Sequence, residues 1–287
     1  MFIFKYLLMV TILTTNLEQT ASVYQEHLLY EPIASGKISN EQATLWQAQQ
    51  LDDKPYRILR AASGKPAYLR FIEVDKSFIA AQQQRGWRAL ELLSSDVDLM
   101  AKKLIDSPFR IIGPPAWISA QQNVKAMQIE APGGEVLYLS QVIDKNKMLL
   151  TKVQAETLVD RPFIMVAGGN KHDNAISFYK TMGLKILGPF PYRIDFLANR
   201  LELPADTLFN ISLAQVTKEF SLELDKYPHH SQDKLSNPVF SITLVAEKKP
   251  VTDSLTTKTI SSFPYDNRQT THLEGKLGER LEIILDQ

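Results

Sequence analysis

The sequence predicts an α+β fold built from four repeats of one βαβββ module, in which a strand and a helix are followed by three more strands. Three observations lead to this prediction. Strand-like segments precede capped, amphipathic helices three times along the chain. Each of these pairs is followed by three further strand-like segments bounded by turn residues. A fourth, shorter copy completes the series near the carboxyl end.

Composition limits the classes of protein that the chain can represent. It has 287 residues, of which 44% are hydrophobic and 22% charged, and its formal net charge is zero. These values indicate a globular protein with one large or two medium domains, and they predict neither nucleic acid nor membrane as a partner. The absence of cysteine excludes disulfides and zinc–thiolate sites, and it fits a cytoplasmic location.

The first module occupies residues 1–75. Asn16 is a good N-cap for a helix at 17–29, with Gln19 placed as in a capping box. The preceding apolar stretch has two readings: a buried strand at 6–14, or a secretory signal peptide with a poor cleavage site near Ala21. The strand is favoured because the same strand-then-capped-helix pattern recurs. The remaining strands are predicted at residues 30–33, 56–61 and 67–74.

The second module, residues 86–145, repeats this order. Its helix is predicted to begin at the capping cluster Ser95-Asp96, and Pro114-Pro115 is predicted to end its second strand. Gly133-Gly134 supplies the turn before its last strand. Its strands are predicted at residues 89–93, 109–113, 124–130 and 135–142.

The third module, residues 161–227, has a glycine loop after its first strand and a helix that Gly183 can terminate. Its strands are predicted at residues 162–167, 184–188, 209–216 and 219–224. The fourth module, residues 238–287, is predicted to be shortened, because the stretch 247–258 contains Pro250 and many Ser and Thr and so forms a weak helix or none. Its strands are predicted at residues 239–246, 259–263, 269–273 and 279–285.

The predicted domain organisation pairs consecutive modules. Residues 1–145 would form the first pair, residues 146–160 a linker, and residues 161–287 the second pair.

The helix entries and the turns before the last strands resemble those of the vicinal-oxygen-chelate superfamily, which includes glyoxalases, bleomycin-resistance proteins and extradiol dioxygenases. The segments that carry the resemblance are Asn16-Leu17-Glu18, Ser95-Asp96-Val97-Asp98, Ala175-Ile176-Ser177-Phe178-Tyr179, Met182-Gly183-Leu184, residues 131–139 and residues 275–283. The resemblance implies curved mixed sheets that form cups around a small molecule. It also implies a divalent metal held by His or Glu from first strands and Glu from last strands.

The metal positions are mostly lost in this chain. Alignment by the helices places the first-strand positions on Met9, Ala89, Ile164 and Ser241 or its neighbour Phe240, and the last-strand positions on Arg70, Tyr138, Glu223 and Glu282. None of the first-strand positions carries His or Glu. A single carboxylate cannot supply the three or four ligands that such a site needs. The sequence therefore predicts no cofactor and disfavours a divalent metal.

The candidate site residues follow from the same alignment. Glu223 lies at a motif position, and Glu91, two residues after Ala89, faces the same side of its strand, so both are candidate catalytic acids or bases. Ligand-binding roles are predicted for the replaced or retained motif residues and for one strand histidine, namely Arg70, Tyr138, Glu282 and His272. Each also has a structural reading, as a hydrogen-bonded or exposed polar group on a sheet.

The predicted function is the binding of a small aromatic or oxygenated molecule in a sheet-lined cup, with the metal site largely lost. The alternative is a metal-dependent lyase, isomerase or extradiol-type dioxygenase with an atypical ligand set. Whether the chain is an enzyme is left open by the sequence, and so is homodimer formation.

Overall fold

The computed structural model describes residues 2–82, 86–118, 121–149, 151–228, 235, 237–248 and 256–286. Within these residues the chain forms sixteen strands and six α-helices, arranged in four modules. The predicted α+β fold of repeated βαβββ units in curled mixed sheets is confirmed. None of the described helices is long and apolar enough to cross a membrane.

The first module begins with a long strand that enters the core. Asn16 caps the first helix as predicted, since its side chain accepts a hydrogen bond from the Gln19 amide at 3.0 Å. The elements are β1 (Phe2–Thr14), α1 (Leu17–Leu28), β2 (Glu31–Lys37), β3 (Pro55–Arg60) and β4 (Tyr68–Glu73). An insertion between β2 and β3 forms α2 (Asn40–Leu45) and a 3₁₀ turn (Gln49–Leu51), and α3 (Lys76–Gln82) leads to the second module.

The second module departs from prediction at its two prolines. Its elements are β5 (Trp87–Ser94), α4 (Val97–Lys103), β6 (Arg110–Trp117), β7 (Val124–Glu130) and β8 (Val136–Val142). Pro114 and Pro115 were expected to end the second strand, but β6 continues through them. β6 is the last strand at one end of its sheet, and its pairing with β7 shifts register between Gly113 and Ala116, so both missing amides lie at an irregularity of an edge strand.

The third module contains a helix that the sequence reading missed. Its elements are β9 (Val159–Gly169), α5 (His172–Thr181), β10 (Lys185–Arg193), α6 (Asp195–Leu201), β11 (Leu208–Gln215) and β12 (Ser221–Lys226). The extra helix is α6, inserted between β10 and β11. Gly183, with φ of 91°, follows α5 in the left-handed conformation, as predicted.

The fourth module supplies β13 (Val239–Lys248), β14 (Thr257–Ile260), β15 (Arg268–Glu274) and β16 (Arg280–Asp286). The weak helix considered for residues 247–258 falls largely on residues 249–255, which lie outside the described residues.

The sheets pair modules from opposite halves of the chain. One eight-stranded sheet has the order β14-β15-β16-β13-β1-β4-β3-β2, and the other has the order β10-β11-β12-β9-β5-β8-β7-β6. The first module therefore shares a sheet with the fourth, and the second shares one with the third. The predicted domains, by contrast, group consecutive modules, which meet in this fold through their helical sides and not within one sheet. The first strands join the modules, because β1 pairs antiparallel with β13 and β5 pairs antiparallel with β9.

Consecutive modules meet on the helical side of the sheets. Helix residues and one face of both sheets share a single apolar core. Within it, the Tyr24 hydroxyl of α1 donates to Glu135 at 2.8 Å, and the Tyr179 hydroxyl of α5 donates to Glu279 at 2.7 Å. Both carboxyl groups stand just before the last strand of the next module. These two equivalent bonds link the first module to the second and the third to the fourth.

Candidate functional site

The face of each sheet opposite the helices forms a cup. We call the cup of the first and fourth modules the first cup, and that of the second and third modules the second cup. The structure brings the four last-strand positions into these cups in pairs. Arg70 and Glu282 lie together in the first cup, and Tyr138 and Glu223 share the sheet of the second.

A buried ion pair occupies the first cup. Arg70 and Glu282 are 1% and 0% exposed, and their closest nitrogen and oxygen atoms are 4.0 Å apart. Tyr265 bridges them, since its hydroxyl accepts from Arg70 at 3.0 Å and donates to Glu282 at 2.6 Å. Two further Arg70 nitrogens donate to the Thr11 hydroxyl at 3.1 and 2.9 Å. Arg70 and Glu282, both predicted to bind a ligand, thus interact with other side chains of the protein.

The insertion between β2 and β3 fills the rest of the first cup. Trp46, which follows α2, is fully buried, and its indole nitrogen donates to Glu282 at 3.0 Å. The Arg70 guanidinium lies 4.9 Å from the centre of the same indole ring, at a distance that favours a cation–π contact. Thr243 also donates to Glu282, at 2.7 Å. His272 stands opposite Glu282 in the β15–β16 register, so it belongs to the first cup. The first cup is filled by its own side chains.

The donor set of the first cup does not fit the metal that the fold family implies. The residues paired in register with Arg70 and Glu282 on the neighbouring first strands are Thr11 and Thr243. Arg70 places a fixed positive charge beside the retained carboxylate, which disfavours a second cation there. No group of three or more His, Cys, Asp or Glu side chains among the described residues is placed to hold a metal ion.

Three carboxyl groups converge in the second cup. Glu91 is 6% exposed and accepts a hydrogen bond from the Ser140 hydroxyl at 2.9 Å. Asp225 is 1% exposed and accepts from the Tyr227 hydroxyl at 2.7 Å. Glu223 is partly exposed and lies two residues before Asp225 on the same face of β12. The alternation that predicts the orientation of Glu91 therefore applies equally to Asp225, which the sequence reading missed.

These carboxyl groups hold protons more tightly than exposed ones do. Burial, reinforced by the charge of Asp225, raises the pKa of Glu91 to about 7. Burial likewise raises the pKa of Asp225 to about 7, although the hydrogen bond from Tyr227 opposes the rise. The pKa of Glu223 is raised well above its ordinary value by burial and then by the charges of Asp225 and Glu91. The cluster can therefore exchange protons near neutral pH.

Aromatic and arginine side chains surround a small cavity that is linked to this cluster through Tyr227, which lines the cavity and donates its hydroxyl hydrogen bond to Asp225. The cavity measures about 10 Å³, which is room for about one water molecule. Three of its lining residues are aromatic, and two are arginines: Tyr138, Phe196, Tyr227, Arg88 and Arg200.

Helix α6 covers the second cup. Phe196 and Leu197 reach the cavity from this helix, and Leu197 packs in a small apolar cluster with Tyr227. Arg200 pairs with Glu130 of β7 at 3.2 Å and so connects the helix to the second module. A ligand larger than water can enter the cup only if α6 or its side chains move.

At the base of the second cup, an aromatic ring packs directly against the backbone of a strand. Tyr227 lies over Gly168, near the end of β9, and a Cβ at residue 168 would stand 2.1 Å from the tyrosine ring. Arg88 donates to the carbonyl oxygens of Gly168 at 3.0 Å and Leu235 at 2.6 Å, so its charge is directed at the backbone. Gly168 was expected to lie in a loop, but it belongs to β9 and is needed for the position of Tyr227.

Comparison with known proteins supports the fold and nothing finer. No family model and no curated protein sequence matches this chain. Glyoxalase I from Zea mays is similar in structure, with a TM-score of 0.61 and 13% identity, over 97% of this chain and 92% of that one. A candidate dioxygenase from Bacillus subtilis gives a TM-score of 0.64 and 11% identity, over 99% of this chain and 86% of that one. The chain therefore has the fold of the vicinal-oxygen-chelate superfamily, as its helix entries and turns indicate.

Proposed function

We propose that this protein binds a small aromatic or oxygenated molecule in the second cup, without a divalent metal. The observation that carries the proposal is the group of Glu91, Glu223 and Asp225 on the cup face of the sheet, connected by the Tyr227–Asp225 hydrogen bond to an aromatic-lined cavity. Binding sites for small molecules combine apolar walls with a few polar groups that orient the ligand, and the second cup has both. In the first cup the acidic group, Glu282, already accepts hydrogen bonds from Tyr265, Trp46 and Thr243 and faces Arg70.

The carboxyl cluster can replace the metal as the polar anchor. A protonated carboxyl group donates a hydrogen bond and an ionised one accepts it, so the cluster can recognise both hydroxyl and carbonyl oxygens. Near neutral pH the cup offers both forms, because the pKa values of Glu91 and Asp225 are about 7. Tyr138 adds a phenol at the edge of the same cavity.

A second candidate function, metal-free proton transfer, is favoured by the same pKa values. A general acid or base works best when its pKa lies near the working pH. An ionised carboxyl group of the cluster could remove a proton from the carbon next to a carbonyl group of the bound molecule. A neighbouring protonated carboxyl group would donate a hydrogen bond to the carbonyl oxygen. Glu91→Gln should abolish such exchange. Deuterium incorporation into hydroxyacetone, followed by NMR, measures it.

Binding can be tested with phenol, catechol and benzyl alcohol, using isothermal titration calorimetry on chelator-treated protein. The variant Glu223→Gln keeps the size of the side chain and removes its titratable group. It should weaken binding about three- to tenfold, the effect of one hydrogen bond. Phe196→Ala should strengthen binding, because it opens the cavity under α6.

His272→Gln is the matched control, since it makes a similar change in the first cup and should leave binding unaltered. The proposal is wrong if NMR shifts caused by these compounds map to the first and fourth modules. It is also wrong if none of the compounds binds either the wild type or Phe196→Ala. A requirement for added metal would refute the metal-free part.

A further inference from the structure

We propose that the ligand of the second cup carries a positive charge, in the form of a small ammonium or quaternary ammonium group held by Glu223, Asp225 and the surrounding aromatic rings. This inference rests on the proposed function and specifies the chemical class of the ligand. The fold family implies a ligand that chelates a metal through two oxygen atoms, and a cationic ligand differs from that class.

The first argument is an oxygen atom that lacks a donor. Asp225 is 1% exposed, and its Oδ2 atom accepts from Tyr227. Its Oδ1 atom is buried and accepts no hydrogen bond from the described residues. A buried polar atom without a partner is costly. Either a proton or a bound cation can satisfy this oxygen.

The second argument is the balance of charge around the cluster. After burial, the charges that raise the pKa values of Glu91 and Glu223 are those of neighbouring carboxyl groups. Two arginines line the same cavity, but Arg88 donates to backbone carbonyl oxygens and Arg200 pairs with Glu130. In the first cup, by contrast, Arg70 stands against Glu282. The carboxyl cluster of the second cup thus lies near two arginines whose described hydrogen bonds go to other groups.

The third argument is the composition of the cavity wall. Tyr138, Tyr227 and Phe196 contribute aromatic surface next to the carboxyl groups. Aromatic faces attract cations, and rings combined with carboxylates are the usual environment for quaternary ammonium groups. The bound cation would occupy space that the Phe196 side chain now fills, so α6 must move when the cation binds. The cation would also favour the ionised carboxyl groups, and binding should release protons.

The test compares two ligands of equal shape, choline and its uncharged isostere with carbon in place of the quaternary nitrogen. Calorimetry in two buffers of different ionisation enthalpy gives both affinity and proton release. We expect choline to bind at least about tenfold more tightly than the isostere. We also expect proton release near pH 6 and a higher affinity near pH 8, since the cluster is then ionised. The isostere should show neither effect.

Glu223→Gln should reduce the preference for choline, and His272→Gln should leave it unchanged. Because the comparison of the two ligands uses the wild-type protein, it does not depend on the folding of any variant. Equal or tighter binding of the isostere refutes the cation and leaves the proposed function standing. Failure of choline, the isostere and the phenolic compounds to bind refutes both.

Discussion

Glu91 should make the stability of the protein fall as pH rises through neutrality. Its carboxyl group is 6% exposed, and its pKa is about 7 in the folded protein against an ordinary 4.5. Between these two values the folded state binds more protons than the unfolded state, so the free energy of unfolding decreases with increasing pH. The stabilising effect of the raised pKa is fully present below 4.5 and is lost as pH rises through about 7.

The size of this effect follows from the two pKa values. A tenfold change in proton affinity corresponds to about 1.4 kcal/mol, so Glu91 alone accounts for a decrease of about 2.5 kcal/mol between pH 5 and pH 8. Asp225 acts in the same direction, because its pKa is also about 7. In the variant Glu91→Gln, the free energy of unfolding should therefore still decrease with pH because of Asp225, but by a smaller amount than in the wild type.

Urea unfolding, followed by tryptophan fluorescence at several pH values, measures the dependence directly. Wild type should lose more stability than Glu91→Gln as pH rises. Glu26→Gln, on the exposed side of α1, is the matched control and should follow the wild type. Parallel profiles for wild type and Glu91→Gln, or a wild-type stability that increases from pH 5 to pH 8, would show that Glu91 does not hold its proton as we infer.

Two further variants test the packing of the cups. Arg70→Met should cost about 3–5 kcal/mol in urea unfolding, because it leaves Glu282 buried without its cation. Adding Glu282→Gln should recover part of that loss, and strictly additive effects would contradict the pairing. Gly168→Ala should lower the midpoint of thermal unfolding, by a loss of about 1–3 kcal/mol, because the new methyl group would overlap the Tyr227 ring. An unchanged midpoint would mean that Tyr227 moves aside freely.

The elements that the sequence predicts well are those set by local interactions. Asn16 and Asp96 cap their helices through hydrogen bonds to amides three residues away, and Gly183 ends α5 through its own backbone conformation. Each signal is contained within a few residues, so a single sequence is sufficient to find it. Strand alternation likewise places Glu91 on the same face as Ala89, whereas the positions of Arg70 and Glu223 followed from the resemblance to the family.

The pairing of the modules could not be predicted in this way. It depends on which first strands pair, β1 with β13 and β5 with β9. The two strands of each pair lie far apart in the sequence, so no local sequence pattern indicates that they meet. The short helix α6 was missed because it lies within a connection between two strands. Asp225 is different, since the alternation argument used for Glu91 would have identified it two residues after Glu223.

The two cups differ in how they neutralise a glutamate at the same motif position. In the first cup the last strand of the first module supplies Arg70, and its guanidinium, with Tyr265, neutralises and hydrogen-bonds Glu282. At the equivalent position the second module has Tyr138, which brings no charge. Glu223 instead lies beside two other carboxyl groups, and protonation relieves their repulsion, in agreement with the raised pKa of Glu223. This difference gives the first cup an internal ion pair and gives the second cup carboxyl groups whose protonation changes near neutral pH.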